Sequence, residues 1–248
     1  MYFDRIARET VTGYKGMMTI QKSSRRRPLK AKVGASGLIA IAENLFAKDG
    51  LDVVSMRNVA ASAGLSNPAS VQYHFGNREE LIRAIWRKRL PEIDRRRAQL
   101  FAALPKEGEQ ADIETLFECA HRPFLDGFET FSQFIAHVLR SRHHLKIRAE
   151  FNNLSPVSIQ ILTRIRKQLP HIDEDVFIFR MITGTLIVLD AIGPSNSAVP
   201  NAWRKSGKEK AYFEAIAAAV GLLQAPQASF GKKLRERKGK HTSASRKD

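Results

Sequence analysis

The sequence predicts an all-α protein, with a small N-terminal domain of three helices followed by a larger helical domain. Apolar residues recur at three- and four-residue spacing along most of residues 33–224, which is the pattern of amphipathic helices. Short turns containing glycine separate the first helices. We expect the three-helix domain at 34–80 and the larger domain at 81–224, between basic end segments at 1–33 and 225–248.

The first two helices are delimited by their capping residues. The first is predicted from Val33 to Lys48 and ends at Gly50, because glycine adopts the left-handed C-terminal conformation without strain. Ser55 is a favourable N-cap for the second helix, MRNVAASA, which stops at Gly64. The apolar residues of these two helices predict a shared core: Leu38, Ile41, Ala42, Leu45, Phe46, Val59, Ala60 and Ala63.

The third helix combines an inward stripe with an outward polar face. It is predicted to start at Asn67-Pro68, an N-cap followed by proline at the first helical position. Val71 and Phe75, four residues apart, share the inward face. The outward residues are Ser70, Gln72, Tyr73 and His74. A polar helix after a tight turn is typical of a helix-turn-helix unit that enters a DNA major groove, whereas the alternative is an ordinary helical hairpin.

The same stretch resembles the TetR family of one-component transcriptional repressors. The motifs that carry the resemblance follow one another in the family's order over about 47 of the 248 residues: LFAKDG (45–50), SMRNVA (55–60), AGLS (63–66), QYHF (72–75) and NREEL (77–81). It implies about nine helices, with a helix-turn-helix domain before a ligand-binding and dimerisation domain. Between Ser66 and Phe75 this chain is one residue longer than the commonest family pattern, which puts the base-contacting positions in doubt.

The resemblance also implies which residues contact double-stranded operator DNA. It places Ser55, Ser66, Tyr73 and Arg78 at phosphates, and Asn67, Pro68, Ser70, Gln72 and His74 on the reading helix. The chemistry agrees, because amides pair with adenine and apolar edges contact the thymine methyl group. Hydroxyl groups and arginine suit phosphate oxygens. For each residue the alternative is a solvated helix surface.

The net charge of +16 lies mainly in the two ends of the chain. Residues 1–33 carry +7 and residues 229–248 carry +6, which leaves +3 for residues 34–228. The cluster RRRPLKAK, with Arg25, Arg26 and Arg27, is placed to lie along phosphates or enter a minor groove. The alternative is a disordered solubilising leader, and a disordered C-terminal tail is expected as well.

The larger domain begins with a long fourth helix. Pro91 interrupts its pattern, so we expect a kink or a restart at that point. The run Arg95-Arg96-Arg97 is interpreted as a solvated face. Residues 112–126 and 128–150 are predicted to form two further helices, and residues 156–169 a shorter basic one.

An aromatic stripe in these helices is interpreted either as core or as the wall of a cavity. An unknown apolar small-molecule effector is the ligand that such a cavity predicts, because binding pockets are mostly apolar with a few placed polar groups. The candidate effector-binding residues are Phe117, His121, Phe124, Phe128, Phe134, His137 and Arg140, and Phe131 belongs to the same stripe.

The last two helices, at 174–192 and 207–223, are too apolar to be covered within one subunit. Packed against the same pair from a second copy, they predict a homodimer joined by a four-helix bundle. The resemblance implies the same interface, and the alternative is burial within a monomer. A homodimer of this kind would place two reading helices one turn of DNA apart on a palindromic operator.

Other function classes are weakly supported by the sequence. Cys119 and His121 are two residues apart on a helix and therefore point in different directions, and His143-His144 lacks the spacing of a metal site. We expect no enzyme, no metal and no cofactor. One cysteine and the lack of a long apolar run favour a cytoplasmic protein without a membrane partner. A non-specific nucleic-acid-binding or interaction module, driven by the basic tails, is the alternative function.

Overall fold

The structure, a computed structural model, describes residues 33–105, 111–193, 199–201, 203 and 207–227. Within these residues the fold is all-α, as predicted, and contains ten α-helices and one short 3-10 turn. The helices are α1 (Ala35–Asp49), α2 (Met56–Ser62), α3 (Ala69–Phe75), α4 (Arg78–Ala102), α5 (Ile113–Leu125), α6 (Glu129–Leu139), α7 (Arg142–Ala149), α8 (Pro156–Gln168), α9 (Glu174–Ile192) and α10 (Glu209–Gln224), with the 3-10 turn at Asn152–Leu154.

Helices α1 to α3 form the N-terminal domain around a small core. Gly50 follows α1 with a φ of 89°, and Gly64 follows α2 with a φ of 67°. Both values lie in the left-handed region that favours glycine. The side chains between the helices are almost completely buried, and they include Leu38, Ala42, Phe46, Val59, Ala60 and Val71. The three predicted helices and their inward faces are confirmed here.

Helix α4 joins the N-terminal domain to the larger body. Asn77 caps it by accepting a hydrogen bond from the Glu80 backbone N–H at 2.9 Å, and Glu79 and Glu80 lie favourably in its first turn. The helix runs without interruption through Pro91, so the expected restart is wrong. Pro91 is exposed, and solvent can therefore reach the backbone carbonyl group that the missing proline N–H leaves free.

Two expectations for the body need correction. The segment 128–150 is two helices, α6 and α7, because the Ser141 side chain accepts hydrogen bonds from the His144 backbone and starts a new helix. This break explains why the structure has ten helices in its described part where about nine were expected. The interpretation of the run Arg95-Arg96-Arg97 as a solvated face is wrong for Arg97, which is 7% exposed. Arg95 and Arg96 are exposed, as that interpretation predicts.

Helices α9 and α10 lie side by side and match the two apolar helices of the sequence. A glycine at Gly184 permits the close approach, since a Cβ at this position would lie 3.2 Å from the Ala219 Cβ. Tyr212 is fully buried between α10 and α5, where its hydroxyl group donates to the Glu118 carbonyl oxygen at 3.4 Å. In the described part of the chain, no helix is long and apolar enough to cross a membrane.

A continuous core joins the N-terminal domain to the body. Phe46 of α1 packs against Phe134 of α6, with ring centroids 6.3 Å apart, and Phe134 packs against Trp86 of α4 at 5.1 Å. Beside this core, the Arg89 Nε donates to both carboxylate oxygens of Glu43 at 3.0 and 2.8 Å. These contacts connect the body to α1 through an unbroken series of packed side chains.

Candidate DNA-binding surface and effector cavity

Helix α3 is held against the N-terminal domain by its apolar side. The Asn67 side-chain oxygen accepts the Ala69 backbone N–H at 2.9 Å, so this residue performs the capping role that the sequence predicts. Val71 is fully buried and Phe75 is half-buried against the core. The helix is anchored by two contacts one turn apart, which fixes its rotation and thereby the face that it presents to solvent.

The opposite face of α3 is polar and open. Tyr73 is 88% exposed, and Gln72 and His74 are exposed beside it. The rings of Tyr73 and His74 pack edge to face on the exposed side of α3, with their centroids 5.7 Å apart. Asn67 and Ser66 are exposed at its start, whereas Pro68 and Ser70 are half-buried. The predicted polar face exists, and its contacts with DNA remain a prediction.

Ser55 and Arg78 already have structural partners. Ser55 forms a capping box, in which its Oγ accepts the Asn58 N–H at 3.2 Å and its own N–H donates to the Asn58 side chain at 2.8 Å. The Arg78 Nη1 donates to the carbonyl oxygens of Leu51 and Asp52 at 2.9 and 3.3 Å. Both residues hold the turn between α1 and α2, so any phosphate contact from them would be added to this role.

The N-terminal domain itself is not basic. Residues 34–80 contain three basic residues, Lys48, Arg57 and Arg78, and five acidic residues. A surface with this charge attracts phosphates weakly, since the affinity of proteins for DNA depends largely on neutralised phosphates. The predicted contacts from Arg25, Arg26 and Arg27 would supply the missing charge, and these residues lie outside the described part of the chain.

The body contains a cavity of about 300 Å³ between α4, α5, α6, α7, α8 and α9. This volume lies at the lower end of the range for small-molecule pockets. Most of the lining is apolar, and the side chains that form it include Leu90, Ile93, Phe124, Phe131, Ile161 and Met181. Polar groups enter the wall at a few points only, namely Arg97, His121, Arg148, Asn152, Ser158 and Thr185.

The structure brings only part of the predicted effector site together. His121 and Phe124 line the cavity, and so does Phe131. Phe117 lies behind His121, with stacked rings 4.1 Å apart, and Phe134 belongs to the core that joins the two domains.

The three remaining predicted effector residues lie away from the cavity. The guanidinium carbon of Arg96 lies 5.6 Å from the centre of the Phe128 ring. His137 of α6 lies next to Gly50, which belongs to the N-terminal domain. Arg140 forms an exposed ion pair with Asp190 at 2.6 Å. The placement of these residues in the cavity wall is therefore wrong.

His121 is neutral in this wall. Burial lowers its pKa to about 4, and its Nδ1 lies 2.7 Å from the Phe117 carbonyl oxygen. A carbonyl group can only accept, so Nδ1 carries the proton and Nε2 accepts the Thr185 hydroxyl proton at 3.1 Å. His121 therefore fixes α5 to α9 and offers the cavity no charge.

Trp86, Arg97 and Arg148 are among the residues of the cavity wall that sequence reasoning missed. Trp86 and Arg97 lie on α4, and Arg148 lies on α7. The spacing of Trp86 and Arg97 with the apolar residues of α4, at Leu90 and Ile93, is a signal that was present in the sequence, because all four lie on one helix face.

The two regions define a helical protein with an exposed polar helix in its helix-turn-helix domain and an apolar cavity in its body. A family model described as "Bacterial regulatory proteins, tetR family" matches residues 38–85. The predicted resemblance is thus confirmed over the helix-turn-helix region, and the match supports a sequence-specific DNA-binding transcriptional regulator. The alternative of a tail-driven, non-specific module is not favoured.

Two solved structures resemble the chain at low sequence identity. The crystal structure of "Probable transcriptional regulatory protein RHA5900" matches with a TM-score of 0.44 and 18% identity, over 78% of this chain and 100% of that chain. The TetR family transcriptional regulator PfmR from Thermus thermophilus matches with a TM-score of 0.46 and 17% identity, over 77% and 99% of the two chains. A comparison with proteins of curated function gives no match.

Proposed function

We propose that the protein is a ligand-responsive, homodimeric repressor that binds a palindromic operator. The observation that carries this proposal is the exposure of Tyr73, Gln72 and His74 on a helix whose opposite side is buried. Tyr73 is 88% exposed, and its hydroxyl group and the Gln72 amide beside it are groups that suit phosphate oxygens and base edges. Operator DNA is the partner that a helix-turn-helix domain implies.

Dimerisation through α9 and α10 is supported by what these helices leave uncovered. Phe179 of α9 is 65% exposed and Phe213 of α10 is 45% exposed. On α10 the neighbouring outward positions hold small residues, Ala217, Ala218 and Gly221, which allow another helix to approach closely. A second copy of the same two helices would cover both phenylalanines and form an isologous interface.

The switch is supported by α7, which lies between the cavity and the start of α4. Arg148 of α7 lines the cavity. The neighbouring Glu150 accepts two hydrogen bonds from Arg83 at 2.9 and 3.1 Å, and His143 lies 2.9 Å from Glu79. An effector that displaces α7 would move the first turns of α4, and Arg78 in this segment holds the turn before α2. DNA and effector affinities would then be coupled reciprocally.

Selection of bound sequences from a random pool of duplex DNA tests the proposal. We expect a palindromic motif whose half-sites lie about one helical turn apart. Sedimentation of the selected complex should give two chains per duplex. Titration of the selected operator, with and without a panel of small molecules, measures the switch.

Two variants and one control sharpen this experiment. Tyr73→Ala should weaken binding to all sequences about tenfold, whereas Gln72→Ala should relax the preference at one base pair by about 1–3 kcal/mol. Thr130→Ala, an exposed change on α6, is the matched control. Failure to enrich any sequence, or equal affinity of Tyr73→Ala and the control, would contradict the proposed reading face. We expect the protein to act as a repressor in the cytoplasm. Deletion of its gene should therefore raise the expression of genes next to the operator.

A further inference from the structure

The cavity wall holds more positive than negative charge. Arg97 and Arg148 both border the cavity, and burial lowers the pKa of each to about 10, so both stay charged at neutral pH. Asp94 is the buried carboxylate whose charge stabilises both of them. Its oxygens already accept the backbone N–H groups of Val157 and Ser158, each at 3.0 Å. Two guanidinium groups and one carboxylate leave one net positive charge beside an apolar space.

Among the described residues, Arg97 and Trp86 have hydrogen-bond donors without a protein acceptor. The Arg97 Nε donates to the Ala120 carbonyl oxygen at 2.8 Å, which accounts for one of its five N–H groups. The Trp86 ring is fully buried, and its Nε1–H has no acceptor within the part of the chain that the structure describes. Buried donors are nearly always paired in proteins, so the Arg97 N–H groups that have no partner among the described residues indicate an acceptor in the adjacent cavity.

The donors lie close together. The Arg148 guanidinium carbon lies 5.4 Å from the centre of the Trp86 ring, and the charges of Arg97 and Arg148 act on each other. Arg148 is held in place by hydrogen bonds to Asn152 at 2.8 Å and Ser155 at 3.2 Å. Arg97 is fixed by Ala120 and by the Phe124 ring, 5.3 Å from its guanidinium carbon. These contacts preorganise the wall for an anion and reduce the entropy cost of binding.

We propose that the cavity binds a small apolar monoanion, an alkyl or aryl carboxylate, whose acid group is held by Arg97 and Arg148. A carboxylate matches the planar guanidinium fork, and a single negative charge balances the excess in the wall. The apolar part of the ligand would lie against Phe131, Ile161 and their neighbours. This inference rests on the proposed function, because it names the chemical class of the effector.

Calorimetric titration of the full-length protein tests the proposal with hexanoate, octanoate, decanoate and hydrocinnamate, each against its primary amide. At least one carboxylate should bind about tenfold or more tightly than its amide, since a hydrogen bond to a charged group contributes about 1.5–3 kcal/mol. Arg97→Met and Arg148→Met should each remove this preference while leaving amide binding unchanged. Retained amide binding shows that the cavity of the variant is still folded. Arg95→Met, an exposed arginine on the same helix, is the matched control and should bind as the unaltered protein does.

Equal affinity for acid and amide would overturn the inference, and so would binding of neither or an unchanged preference in both variants. Operator binding is measured on the same samples without ligand. A protein that binds its operator but none of the carboxylates refutes this inference alone. A protein that binds a carboxylate but has no preferred DNA sequence refutes the proposed function instead.

Discussion

The N-terminal domain and the cavity differ in whether their buried charges are balanced by a partner of opposite charge. In the N-terminal domain, the buried carboxylate of Glu43 is paired with Arg89 of α4, and the exposed face of α3 around Tyr73 is polar. In the cavity wall, Arg97 and Arg148 share the charge of one buried carboxylate, Asp94, and one positive charge is left over. The paired charges of Glu43 and Arg89 complete each other within the fold, whereas the positive charge beside the cavity is left for a further anion to balance.

The largest effect is expected where the matched pair is broken. Arg89→Met leaves Glu43, 1% exposed, as a buried carboxylate without its cation, so the free energy of unfolding should fall by about 3–5 kcal/mol in urea titrations. Arg87→Met removes a surface ion pair with Glu80 on the same helix and should cost less than about 1 kcal/mol. Similar losses in the two variants would show that the Glu43 carboxylate is not buried as described.

A second prediction concerns the neutral His121 of the cavity wall. Its pKa is about 4 in the folded protein and 6.5 in an unfolded chain, so between these values only the unfolded state takes up the proton. Stability should therefore be lost as the pH falls from 6.5 towards 4, by about 3 kcal/mol at most. The unfolding free energy measured across this range should depend less on pH in His121→Gln.

The control for this measurement is His143→Gln, since His143 is exposed. Burial also lowers the pKa of His144, which leaves a smaller slope of the same sign in every variant. An identical pH dependence in His121→Gln and His143→Gln would contradict the lowered pKa of His121.

The smallest effect is expected from the basic arm. Replacing Arg25, Arg26 and Arg27 by glutamine should weaken operator binding about tenfold to a hundredfold at low salt, because the N-terminal domain brings few cations of its own. The slope of log affinity against log salt should decrease by about 2–3. Fluorescence anisotropy over a salt series measures both quantities. The same replacement of Lys232, Lys233 and Arg235 in the C-terminal tail is the control, and equal slopes in the two variants would remove the arm from the interface.

The sequence was sufficient for the N-terminal domain because its determinants are local. Gly50, Ser55 and Asn67 each act within four residues of their own position, and Val71 with Phe75 fixes the helix face. The cavity is formed instead by helices that are far apart in the chain. The neighbouring Arg95 and Arg96 suggest that Arg97 is solvated too, but the structure buries it. Its burial is decided by α5, which covers it and supplies the Ala120 carbonyl group. Periodicity identifies a helix face but not the elements that will cover it.

The unbroken course of α4 has a mechanical consequence. Arg97 and Arg78 stand about 28 Å apart along its axis, at 1.5 Å per residue. A tilt of about 5° at the effector end would swing the opposite end sideways by roughly 2 Å, because the helix acts as a lever of that length. A displacement of this size is comparable to the length of a hydrogen bond. Even a slight tilt of α4 would therefore be enough to break hydrogen bonds between the proposed reading helix and DNA bases.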